Sequence, residues 1–126
     1  WEWRDRKRRV VEQGFYAAGV ADLILLYDNC LQRVEEALAN GAWLAGDTFS
    51  LADIGVTPYV NRLEMLQLSF MWERDRPRLT EWWSRIKSRP TFKPALLDWC
   101  PADLTNDLKT YGAMSKFDVE KILDRN

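Results

Sequence analysis

Apolar positions recur along the chain at intervals of three and four residues and almost nowhere in alternation. That spacing belongs to helices with one buried face, and no hairpin signature separates alternating runs. The first segment, Trp1 to about Gln13, offers Trp3, Val10 and Phe15 as a narrow seam. Around it stand Arg4, Arg6, Lys7, Arg8 and Arg9, which a helix distributes on all sides. Gly14 and Gly19 bracket a break. From Val20 to Ala39, Val20, Leu23, Ile24, Tyr27, Leu31, Val34 and Leu38 fall on one face, and Asn40-Gly41 ends the segment, with Gly41 suited to a left-handed cap. Trp43 and Leu44 enter a connector with a turn at Gly46-Asp47.

The segment from Leu51 to about Leu66 differs from the others. Leu51, Ile54, Val56, Tyr59, Val60, Leu63 and Leu66 cover most of its circumference, which predicts a central helix enclosed by its neighbours. Pro58 lacks a backbone N–H and predicts a mild kink there. Pro77 opens a further helix with Leu79, Trp82, Trp83 and Ile86 inward and Arg78, Glu81, Arg85 and Lys87 outward, stopped by Arg89-Pro90. Thr91 is placed to cap a short helix through Leu97. After Pro101 two weak apolar sets, Leu104, Leu108 and Tyr111, then Phe117, Val119 and Ile122, predict one or two short helices. The chain thus reads as one all-α domain over 1–126, a core bundle at 1–98 and a helical tail at 99–126.

Composition narrows the function more than it names it. Of 126 residues, 47% are hydrophobic and seven are tryptophan, enough to build a core. With a formal net charge of -1, the chain lacks the overall basic footprint of a nucleic-acid binder. No apolar run reaches the length of a membrane span, and no signal peptide is legible. There is no histidine, so no histidine-ligated metal and no histidine base is available within the chain, and no metal is expected. Cys30 and Cys100 are too far apart for a CxxC pair or a zinc motif and read as free packing thiols in a reducing, cytoplasmic setting. The chain starts at Trp1 without a methionine, which reads as a processed chain or a fragment.

The most specific signal is the start of the central helix. Ser50 stands three residues before Asp53, with Phe49 just outside and Ile54 just inside. This is the spacing of a capping box combined with a hydrophobic staple. Asp replaces the usual Glu or Gln at the third helical position, so its shorter arm demands a tighter fit. The run Trp43-Leu44-Ala45-Gly46-Asp47, then Phe49-Ser50-Leu51-Ala52-Asp53-Ile54, then Pro58, resembles the C-terminal helical domain of cytosolic glutathione transferases, bacterial members in particular. Val34 to Leu38, Arg62 to Leu66, Arg78 to Trp83, Ile86 and Ser88 to Phe92 match in order, so the resemblance covers about residues 18 to 98.

The resemblance implies a multi-helix orthogonal bundle and, in the intact parent, a preceding thioredoxin-like domain. That domain would hold glutathione as co-substrate and carry the thiol-activating residue, so no catalytic residue transfers to this chain. The parent would conjugate glutathione thiolate to a small apolar electrophile, as in detoxification, and form a homodimer; this chain alone is expected to be inactive. By position, Val11, Phe15 and Tyr16 from the first helix, with Trp99 or Tyr111 from the tail, are the substrate-wall candidates, although all five also suit packing. Only the two tyrosines bring a hydroxyl able to polarise a leaving group. The basic run Arg4 to Arg9 reads better as the solvated side of a helix than as an acceptor for glutathione carboxylates. Trp1 and Trp3 are expected to pack on the absent domain or on a second subunit. The alternative function is an interaction module with the same helical fold and no catalysis.

Overall fold

In the computed structural model, which describes residues 2–124, seven helices follow one another without a strand among the described residues. They are α1 (Glu2–Gln13), α2 (Val20–Ala37), α3 (Leu51–Met65), α4 (Phe70–Glu73), α5 (Pro77–Ser88), α6 (Phe92–Ala95) and α7 (Ala102–Leu123). No single helix among the described residues is long and apolar enough to cross a membrane.

The core forms where α5 and α7 each pack on both α2 and α3. Helix α5 is the main wedge. Leu79, Trp82, Trp83 and Ile86 recur at three- and four-residue spacing, and all four are buried. Trp83 meets Phe92 of α6 edge to face, with ring centroids 5.6 Å apart. Losing a large side chain from such a site costs about 3–5 kcal/mol. Pro77 occupies the first turn of α5, where a missing N–H costs nothing. The amides that follow it find a partner across the bundle: the buried Glu35 carboxylate of α2 accepts from Leu79 N at 2.7 Å and Arg78 N at 3.3 Å. Arg76, also buried, bonds Asp28 at 2.9 Å and Gln32 at 3.3 Å and donates to the Met71 carbonyl, which joins α2 to the α4–α5 corner.

Several sequence expectations need correction. Gly41 is not left-handed; at φ 170° and ψ 176° it is extended. Glycine is required there because a Cβ would lie 2.5 Å from the Gly46 carbonyl, across the tight Trp43–Gly46 bridge. Gly46 takes the positive φ of 118°. Thr91 does not cap α6; its backbone is already helical and its side chain makes no cap bond. The tail is not two short helices but one of 22 residues. Gly112 and Val119 are buried and Leu108, Ser115 and Ile122 half-buried, so the inward seam keeps one or two members of each apolar set that the sequence suggested. Gly112 does not break the helix. It lets the backbone of α7 close on α3, since a Cβ there would fall 2.1 Å from the Leu66 carbonyl oxygen. Leu104, Tyr111 and Phe117 are exposed.

Helix α3 runs unbroken through Pro58 but is not enclosed on all sides. Its inward face carries Asp53, Thr57, Val60, Asn61 and Leu63, whereas Leu51, Ile54 and Tyr59 are 83%, 52% and 61% exposed. The polar residues go inward because each has a partner there, and part of the apolar surface is left outside. Helix α1 stands apart from this core. It leaves α2 at about 80°, contacts the single 3-10 turn Gly14–Tyr16 that follows it, and buries no residue.

Candidate functional site

The chemistry-bearing centre of the fold is Asp53. Ser50, in extended conformation, is the N-cap of α3, and the capping box closes in both directions. Ser50 Oγ accepts from Ala52 N at 3.2 Å, and Asp53 Oδ2 accepts from Ser50 N at 2.9 Å and from Ser50 Oγ at 3.2 Å. The other carboxylate oxygen reaches further. Asp53 Oδ1 accepts from Leu44 N at 3.0 Å and from Trp82 Nε1 at 2.8 Å. One carboxylate therefore ties the 41–46 connector, the start of α3 and the middle of α5. The shorter Asp suits this: its fully buried carboxylate lies within hydrogen-bond reach of every one of these donors.

Burial alone would push the Asp53 carboxyl up; the bonds from Leu44, Trp82 and Ser50 outweigh that and hold it below the ordinary carboxylate range. The group stays ionised at neutral pH with its lone pairs committed. It is a fastener, with no free face to offer a substrate. Phe49, half-buried, packs edge to face on Trp43 with centroids 5.2 Å apart, and Ile54 faces outward. Trp82 and the Leu44 amide were not legible as partners of Asp53, because they lie 29 and 9 residues away. The only hint was the indole N–H, which seeks an acceptor when buried.

The substrate-wall candidates differ in exposure. Phe15 packs half-buried on the core. Val11 and Tyr16 flank it in exposed positions, Tyr16 being 91% exposed. Trp99 is 81% exposed and donates through Nε1 to the Pro94 carbonyl at 2.9 Å, and Tyr111 sits exposed on α7. None of the five lines the apolar groove between α2 and α3. This apolar groove of about 330 Å³ is lined by Leu26, Tyr27, Cys30, Val34, Val56 and Tyr59 among others. It exists because α2 and α3 are joined through α5 and α7 more than through each other. Cys30 is an exposed free thiol there, and Cys100 is a half-buried free thiol elsewhere. Among the described residues no cluster of three or more carboxylate or thiol side chains converges to hold a metal. Trp1 lies outside the described residues; Trp3 is exposed with the Lys7 ammonium 3.8 Å from its ring centroid.

Comparison with known proteins places this arrangement in a wider group. The sequence model of the family described as "Glutathione S-transferase, C-terminal domain" matches residues 27–90, which span α3, its capping box and α5. The tetrachloro-p-hydroquinone reductive dehalogenase of Sphingobium chlorophenolicum is 33% identical over 90 residues, covering 69% of this chain and 36% of the relative. The glutathione S-transferase TCHQD of Arabidopsis thaliana is 35% identical over 66 residues, 52% of this chain and 25% of the relative. The disulfide-bond oxidoreductase YfcG of Escherichia coli is 36% identical over 70 residues, 51% of this chain and 28% of the relative. The matched stretch thus covers between a quarter and just over a third of these curated relatives. No solved structure matches the chain.

Proposed function

The chain belongs to the family of glutathione S-transferase C-terminal domains, and from that premise we propose that it is the helical half of a glutathione transferase-like enzyme. In this reading a thioredoxin-like half holds glutathione and activates its sulfur. The present half forms one wall of the site for a small apolar electrophile. The thiol loses its proton to solvent or a base on the other half. The thiolate then attacks an electrophilic carbon, the new carbon–sulfur bond forms, and the leaving group departs with the electron pair of the bond that breaks. This chain's contribution is orientation and exclusion of water, with Phe15 at the base of the wall and Val11, Tyr16, Trp99 and Tyr111 as its adjustable edge. Tyr16 and Tyr111 each bring a hydroxyl to a departing anion.

The observation that carries the reading is the match over residues 27–90 around an Asp53 clamp that occupies itself fully with folding. A domain whose buried charged groups, Asp53, Glu35 and Arg76, are all spent on its own architecture leaves catalysis to another part of the protein. The exposed apolar residues of α1, α2 and α3 suit that division. Trp3, Val11, Leu26, Leu51 and Tyr59 are solvated here, and contact with the other half or with a second copy in a homodimer would dehydrate them.

Two measurements test it. The 126-residue chain alone is expected to show no retention on immobilised glutathione and no conjugation of glutathione to a chloro-dinitroarene. The polypeptide encoded with its upstream region is expected to contain a thioredoxin-like sequence and to catalyse that conjugation. An unrelated upstream sequence, or a stable complex with a heterologous chain and no conjugation, would overturn the proposal in favour of an interaction module.

A further inference from the structure

Helix α7 turns a row of large apolar side chains away from the core. Tyr111, Met114 and Phe117 are between 65% and 72% exposed. They recur at every third residue, so at about 100° per residue Tyr111 and Phe117 stand about 60° to either side of Met114. Gly112 and Val119, the buried residues of α7, lie about 140–160° round the helix from Met114. Two charged residues extend the face. Asp107 and Lys121 stand seven residues before and seven after Met114, about two turns away and within about 20° of its direction. Both are exposed, and neither side chain has an ionic or hydrogen-bond partner among the described residues.

Outward from Met114 the face is symmetric in position and complementary in charge. An aromatic ring stands three residues away in both directions, then an acid seven residues before and a base seven residues after. An isologous two-fold contact requires this, because each residue before the axis meets its counterpart after the axis on the second copy. Two α7 helices laid antiparallel with the axis at Met114 bring Met114 to Met114, and Tyr111 to Phe117 and Asp107 to Lys121 twice each. Thr110 then meets the half-buried Asp118 with a hydroxyl to donate to its carboxylate. A parallel pair in register would instead oppose Asp107 to Asp107 and Lys121 to Lys121. The stretch from Asp107 to Lys121 is about 21 Å long. A single helix-on-helix contact of that length is smaller than the roughly 800 Å² per partner of a stable complex, which sets it in the weak, reversible class.

We propose that this chain self-associates reversibly through α7, as an antiparallel pair with its two-fold axis at Met114. The surface is apart from the α1, α2 and α3 faces that the enzyme reading gives to the other half, and the association needs neither that half nor glutathione. Tyr111 is the one residue shared with the wall proposed above. When the pair forms, Phe117 of the second copy covers it, and Trp99 is then the tail's contribution to the wall.

Sedimentation equilibrium of the 126-residue chain from about 10 μM to about 1 mM tests it. The mean mass is expected to rise from monomer towards dimer across that range. Asp107→Lys and Lys121→Asp each turn two attractions into two repulsions and should weaken the dimer by about tenfold. An equimolar mixture of those two variants, or the double variant Asp107→Lys/Lys121→Asp alone, should recover the parent affinity within about twofold. That recovery separates lost pairing from lost folding. Met114→Asp should leave the circular dichroism spectrum unchanged and abolish the dimer. A chain still monomeric at about 1 mM overturns the proposal and leaves the apolar row to another protein or to another part of this one. So does a dimer that Met114→Asp leaves intact, which would lie on α1, α2 or α3. So does a charge effect that neither the mixture nor the double variant repairs.

Discussion

Helices α5 and α1 have the same length, 12 residues, and both set aromatic or aliphatic side chains among many charges, yet one is the centre of the domain and the other hangs from its edge. Helix α5 buries four residues and is stitched to α2 and α3 at three points: Trp82 to Asp53, the Leu79 amide to Glu35, and Trp83 Nε1 to Glu64 at 2.9 Å. Helix α1 buries none, and its tryptophan is covered on one side by its own lysine. Amphipathic spacing is thus necessary for burial and insufficient for it. Burial was decided by polar anchors that fix where the apolar face lands. Asp53, Glu35 and Arg76 do this for α5 and its entry turn, whereas α1 buries no residue.

The comparison breaks most readily at Asp53. Asp53→Ala leaves the Leu44 and Ser50 amides and the Trp82 indole N–H without their acceptor, at about 1–3 kcal/mol for each buried donor. The expected loss is about 3–5 kcal/mol, measured by urea denaturation; a midpoint near that of the parent would show that the clamp does not hold α5. The same carboxylate gives a pH signature. Its folded pKa lies below the unfolded one, so its contribution is complete well above about pH 4. It is lost as the pH falls through the folded pKa. Asp53→Asn is expected to flatten that acid limb in a series of urea titrations, and an unchanged limb would assign acid sensitivity to other carboxylates.

Gly112→Ala sharpens the comparison on the α7 side. The added Cβ meets the Leu66 carbonyl oxygen, which is backbone and cannot rotate away, so α7 must shift from α3. A loss of about 1–3 kcal/mol follows from overpacking, read as a fall in thermal midpoint. The smallest effect belongs to α1. Deleting residues 1–13 keeps Phe15 on the core and is expected to change the stability of the remaining chain by no more than about 0.5 kcal/mol. A large loss in the same urea assay would mean that α1 is integral to the bundle after all.

These contrasts show which features were local enough to read. The capping box at Ser50 and Asp53, the proline entry of α5 and its inward face Leu79, Trp82, Trp83 and Ile86 follow from spacing within one or two turns, and spacing within a helix is fixed by 3.6 residues per turn. The candidate site was less legible. Val11, Tyr16, Trp99 and Tyr111 were chosen by position along the chain, and in this domain they are solvated, with Phe15 alone of the five on the core. The α2–α3 groove went unread, because it depends on how α5 and α7 hold those two helices.

The sequence by itself determined that the chain is helical, where α3 and α5 begin, and which face α5 buries, because hydrogen bonding and periodicity along a helix involve near neighbours. Only the tertiary structure decided that α3 turns Asp53, Thr57 and Asn61 inward and leaves Leu51, Ile54 and Tyr59 in solvent, that α7 is one continuous helix, and that Gly41 and Gly112 are there for close approach of backbone. The reason is physical: a buried polar group is placed by its partners. Thr57 and Asn61 find theirs four residues away within α3, at the Asp53 carbonyl and the Met65 sulfur, but they turn inward with Asp53, whose partners lie 9 and 29 positions away, a distance over which sequence spacing carries no geometry.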